Sequence, residues 1–164
     1  MKTKKLAASG LLTALALVIF IVEAQIPMPI PGVKLGLANI ITVSAVFLLG
    51  GKDACAILLA RILLGSLFSG ASTLPYSLCG GIVSIVTVLL VRRIVRNRQI
   101  WVICVLAGIA HNLGQMAMAA LITQTPSILI YLPVLILSGI VTGVFTGLCT
   151  QLCVLRLRGK FHNE

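Results

Sequence analysis

Arg61 lies in the middle of an apolar run, with Ile57, Leu58, Leu59 and Ala60 before it and Ile62, Leu63 and Leu64 after it. An arginine at the centre of a membrane helix costs at least about 2.5–3.5 kcal/mol unless it faces protein or water. Gly65 and Ser69 follow at i+4 and i+8, which gives one small, polar stripe. Two roles fit this pattern: an anion-binding cation in a cavity, or a structural pair with Glu23, the one carboxylate at membrane depth. A second constellation is Gly108, His111, Asn112 and Gln115. At 100° per residue these four fall within one arc of a helix. Each amide and the imidazole need partners in hydrocarbon, so the arc serves either ligand contact or helix–helix hydrogen bonding. A third stretch runs from Gln25 to Asn39, where Pro27, Pro29 and Pro31 alternate. The prolines exclude helix over 27–32 and predict extended chain, a segment placed to gate a chamber. Lys34 and Asn39 follow as a helix begins, where backbone N–H groups and the helix dipole attract anions. The other role for Lys34 is a lysine snorkelling to the headgroups.

Other small-residue faces read first as packing. Ser77, Gly80, Gly81 and Ser84 align on one helix, and Gly139, Gly143 and Gly147 form a repeated GxxxG ridge on another, with Ser138, Thr142, Thr146 and Thr150 beside it. Ala7, Gly10 and Ala14 leave room for another helix to approach, from this chain or from a partner membrane protein. Independent catalysis is not expected. There is no GxxxxGK[ST] loop, and Glu23, Asp53 and Glu164 are the only acids. Three scattered carboxylates cannot assemble a Mg²⁺–diphosphate cluster or complete a serine triad. No metal or cofactor site is expected, since one intramembrane histidine defines none. Cys55, Cys79, Cys104, Cys149 and Cys153 form no CxxC pair and behave as small hydrophobes.

The elements that must position these groups are membrane helices. The 164 residues are 59% hydrophobic and only 10% charged, against roughly 25% charged in soluble domains. A net charge of +10 suggests nucleic acid at first, but the basic residues cluster between long apolar runs, as cytoplasmic loops do, and no nucleic-acid partner is expected. Length and patterning predict one transmembrane domain, 1–164, all α, with about six spans: 6–26, 35–50, 54–69, 75–91, 100–122 and 132–155, the last preceded by a lipid-surface turn. The second and third are short for a hydrocarbon core that takes about 20 residues. With both termini in the cytoplasm, the inner segments hold Lys2, Lys4, Lys5, Lys52, Arg92, Arg93, Arg96, Arg98, Arg156, Arg158 and Lys160, and the outer loops hold Lys34 alone. That bias sets a multi-pass cell-membrane orientation. Residues 1–24 also resemble a signal peptide, but the apolar run is long for one, and a retained first helix is expected.

Four segments carry a resemblance: PGVKLGLANIIT at 31–42, ARILLGSLFSG at 60–70, YSLCGG at 76–81 and AHNLGQ at 110–115. They resemble the bacterial membrane family of heptaprenyl diphosphate synthase component I, also called the Gx transporter family. That family is similar to the substrate-binding S components of energy-coupling factor transporters. The resemblance implies an S-component-like bundle with an outward pocket for a small solute, working with a transmembrane coupling protein and ATPase subunits in membrane lipid. The matching positions are Lys34, Asn39, Arg61, His111, Asn112 and Gln115. The expected function is capture of a small anionic or amphipathic solute. The alternative is a noncatalytic membrane subunit of heptaprenyl diphosphate synthesis, since the aspartate-rich motifs of prenyl synthases are lacking.

Overall fold

The computed structural model describes residues 2–27, 36–95 and 99–162, with backbone alone at 2, 126 and 157–162. They form six α-helices: α1 Lys2–Ala24, α2 Asn39–Leu48, α3 Gly51–Ser69, α4 Leu74–Val91, α5 Ile100–Thr123 and α6 Leu132–His162. No strand occurs among the described residues. Helices suit these runs because each satisfies its own backbone groups without water. The breaks have local causes. Gly50 and Gly70 adopt φ of +105° and +89° at the two ends of α3, and Pro75 sits in the first turn of α4, where its missing N–H removes no helical bond. Gln124 closes α5 in the left-handed region, and a 3₁₀ turn over Pro126–Tyr131 then leads into α6. Leu129 and Ile130 are exposed on that turn.

Four stretches are long and apolar enough to cross a membrane: Thr3–Ala24, Ala71–Val91, Ile100–Thr123 and Ser127–Arg156. The other two helices are different. α3 has 19 residues but carries Lys52, Asp53 and Arg61. α2 has ten residues, a length of roughly 15 Å, about half the hydrocarbon core. The span expected at 35–50 is therefore shorter as a helix, because the chain turns at Gly36 before α2 starts at Asn39.

α5 is the central element, packed along both α4 and α6, while α1 lies on α3 and α2. Val43, Val46, Ile57, Leu58, Ile62, Val88 and Ile103 make the core between them. The GxxxG ridge of α6 is spent on α5: a Cβ at Gly143 would stand 2.6 Å from Val105 Cα, and one at Gly147 would stand 2.6 Å from Trp101 Cα. The outside is an apolar belt, with Leu11, Val18, Leu63, Leu67, Val141, Phe145 and Leu152 all exposed. A surface of that kind is suited to acyl chains and unsuited to water.

Candidate functional site

Glu23 organises the end of the bundle where α1 stops and α2 begins. Its side chain is buried, and its carboxylate accepts hydrogen bonds from the backbone N–H groups of Gly36 and Ala38, the latter at 3.3 Å. Asn39 N–H then donates to Gly36 O and Ile40 N–H to Leu37 O, which start the helix. Glu23 thus occupies the N-terminal N–H groups that an anion would otherwise seek, and the partial positive charge there favours it. Gly36 has φ +84°, and a Cβ on it would lie 2.9 Å from His111 Cδ2. Glycine is required on both counts: an L side chain is strained at that φ, and the imidazole already fills the space.

Arg61 comes from the middle of α3 and is only 2% exposed. Its guanidinium carbon stands 5.8 Å from the centre of the Phe20 ring, within cation–π range, and its charge is attracted by Glu23. Phe20 and Glu23 are three residues apart on α1, so one face of α1 offers both a ring and a carboxylate to one arginine. From α5, Gln115 Nε2 lies 3.0 Å from His111 Nε2. An amide nitrogen only donates, so with this geometry the imidazole Nε2 accepts and the ring proton sits on Nδ1. Nδ1 faces the backbone of Gly80 without closing a well-formed hydrogen bond on it. Gly80 has to be small, since a Cβ there would stand 2.7 Å from Gln115 Cγ and 2.8 Å from His111 O.

Phe20, Glu23, Gly36, Arg61, Ser77, His111 and Gln115 line one cleft with an empty volume of about 210 Å³, its open mouth included. Its enclosed centre has room for roughly one water-sized molecule. Arg61 Nε, Ser77 Oγ and His111 Nδ1 are buried here with no hydrogen-bond partner. Buried polar atoms are rarely left so, and a cluster of them needs a reason.

Of the residues singled out from the sequence, the structure brings Arg61, His111 and Gln115 together in this cleft. Asn39 and Asn112 are elsewhere. Asn39 Nδ2 donates to Ser84 Oγ, joining α2 to α4. Asn112 Nδ2 donates to Leu135 O at 2.7 Å, joining α5 to α6. The polar arc of α5 is therefore divided, with His111 and Gln115 toward the cleft and Gly108 and Asn112 toward α6. Lys34 and most of the proline segment lie outside the described residues. Phe20 and Gly36 were not expected at the site. Phe20 has a detectable signal, its i, i+3 spacing from Glu23, whereas Gly36 has none beyond being a glycine near a helix start.

The described residues contain no group of three or more histidine, cysteine or acidic side chains placed to hold a metal ion. No curated protein and no solved structure matches the chain. Residues 12–153 match the family model described as heptaprenyl diphosphate synthase component I, and by that match over most of its length the chain belongs to this family.

Proposed function

We propose that the chain is a noncatalytic, multi-pass membrane subunit of heptaprenyl diphosphate synthesis, with both termini in the cytoplasm. The family match over residues 12–153 carries this reading. The chemistry of the chain supports it. Of its three acids, Glu23 is bound by backbone N–H groups and Asp53 by Lys5 at 2.7 Å. No carboxylate pair is left to bind Mg²⁺ and a prenyl diphosphate, so that work falls to a partner subunit. The apolar belt would hold the partner at the membrane where a long prenyl product dissolves. Gentle detergent extraction of the tagged chain tests this. Copurification of an aspartate-rich prenyl synthase is the expected result, and repeated recovery of transporter ATPases with no synthase would overturn it.

A second reading is favoured by a different observation, the buried polar cleft. On this reading the chain captures a small solute in the manner of an S component and passes it to a coupling protein and its ATPases. Arg61 would pair with the solute, His111 and Gln115 would orient it, and Lys34 would draw it to the mouth. Asn39 and Asn112 would act by fixing α2 and α6 around the cleft. Mass spectrometry of small molecules retained by the purified chain tests this reading. A retained solute lost in Arg61→Gln supports it, and the same retention in wild type and Arg61→Gln would defeat it.

A further inference from the structure

Glu23, Arg61 and Ser77 line one small space, and each side chain is at least nine-tenths buried. Glu23 attracts the Arg61 charge, yet Arg61 Nε, a donor only, reaches no acceptor in the protein. The Ser77 hydroxyl, able both to donate and to accept, is likewise without a hydrogen-bond partner. The two Glu23 oxygens offer about four lone-pair sites, and the N–H groups of Gly36 and Ala38 do not exhaust them. His111 Nδ1 faces the Gly80 backbone and is not required here. Whatever fills the space has to accept from Arg61, donate to Glu23, and do either with Ser77.

Charge and size complete the specification. The Glu23 carboxylate and the Arg61 guanidinium already balance, so a further ion would be a buried charge without a partner. A cation would meet Arg61 and an anion would meet Glu23 at close range. The enclosed centre has room for about one water-sized molecule. Its walls are tight: the Phe20 ring is seated on Gly65, where a Cβ would stand 2.5 Å from Phe20 Cε1, and Gly36 is set against His111 in the same way. We infer that the cleft binds one ordered water, which accepts from Arg61 Nε–H, donates to the Glu23 carboxylate and shares a hydrogen bond with Ser77 Oγ. Three such bonds are the usual number for a buried water. The Glu23–Arg61 pair is thereby joined through the water, and the cleft in this conformation is a hydration site, not a solute pocket. A solute group that is to pair with Arg61 has to displace the water, and any group larger than water has to move Phe20 or the Gly36 turn. The water belongs to the fold under either proposed function.

The test is ¹⁵N-arginine labelling of the full chain in lipid nanodiscs. The Arg61 Nε–H signal is the one, among seven arginines, that disappears in Arg61→Lys. Cross-relaxation between that proton and water is measured in the laboratory and rotating frames. The expected result is a water cross-peak of opposite sign in the two frames, the mark of a long-lived water in contact. Ser77→Ala, a small change, removes one of the water's partners, so the cross-peak weakens and the Arg61 Nε signal shifts. Ser77→Val fills the space with methyl groups, and the cross-peak is lost. Absence of the cross-peak in the wild type would show a dry site and overturn the inference. A cross-peak of the same sign in both frames would do so too, since it reports proton exchange with bulk solvent in an open cleft. Retention of the cross-peak in Ser77→Val would place the water elsewhere. If Ser77→Val does not fold, the wild type and Ser77→Ala decide, and a cross-peak and Arg61 shift unchanged in Ser77→Ala would defeat the three-partner site.

Discussion

At the scale of single residues the central fact is that Glu23 serves three partners at once: the Gly36 and Ala38 N–H groups and the Arg61 charge. Removing one member of a buried pair leaves the other uncompensated, which typically costs about 3–5 kcal/mol, whereas replacing both by apolar groups costs far less. Glu23→Ala should therefore destabilise the chain by about 3 kcal/mol, and Glu23→Ala with Arg61→Met by less than the two single changes combined, the shortfall being about 1–3 kcal/mol. Denaturant unfolding of the four variants in nanodiscs measures this, and strict additivity would show that the two groups are not coupled. Gly36→Ala places a Cβ at φ +84° and 2.9 Å from His111 Cδ2. The backbone term alone costs about 1–2 kcal/mol, and the imidazole must also move, so the His111 ¹⁵N signal should shift together with the loss of stability. A stability loss with an unmoved signal would mean that the turn has relaxed away from the ring. At this scale much was legible in advance. Arg61, His111 and Gln115 stand out because ionic and amide groups inside apolar runs must face inward. What escaped is which partner each takes. Helical spacing puts Asn112 on the arc of His111, but a rotation of 100° was enough to give one to α6 and the other to the cleft.

Helix packing decides which glycines are structural. The α6 ridge meets α5 backbone to backbone, and at Gly143 the nearest atom to a new Cβ is Val105 Cα at 2.6 Å. Backbone cannot step aside as a flexible side chain can. Gly143→Leu should therefore cost more than about 3 kcal/mol or prevent folding, in the range of severe overpacking. Gly10 on α1 is the contrast, with nothing within 4 Å of a Cβ there. Gly10→Leu should leave stability unchanged or slightly raised by better helix propensity. Thermal unfolding of the two variants checks the pair of expectations, and a Gly10→Leu loss as large as that of Gly143→Leu would show that α1 is packed more closely than this structure has it. Gly10→Leu also probes partnership: if the Ala7–Gly10–Ala14 face receives another protein, copurification falls while stability holds. The six helices and their order were readable from the apolar runs and prolines, because the membrane admits little else. The true length of α2 was not, because its start is set by Glu23 reaching 13 residues along the chain to Gly36, a contact that no local pattern encodes.

The whole molecule is polarised. The start of α1, the α2–α3 turn and the end of α4 gather at one end: Lys5 pairs with Asp53 at 2.7 Å, and Arg92 reaches Val46 O at 3.5 Å. The polar cleft lies away from that end, between the last turns of α1 and the middle of α5. Neither contact at the basic end explains much stability, since an exposed ion pair is worth about 0–1 kcal/mol. Because lysines and arginines beside short loops are retained in the cytoplasm, the clustering predicts that this end faces the cytoplasm. Ile94 sits in the turn after α4 and is 86% exposed, so it reports the side of that turn without disturbing the core. Ile94→Cys, in a chain whose five native cysteines are replaced by alanine or serine, should resist a membrane-impermeant thiol reagent in intact cells and react after permeabilisation. Labelling in intact cells would put the basic end outside and the mouth of the cleft in the cytoplasm. The chamber would then face the cell's own metabolites, capture from outside would be ruled out, and the cytoplasmic placement of the termini would have to be given up for the subunit reading as well.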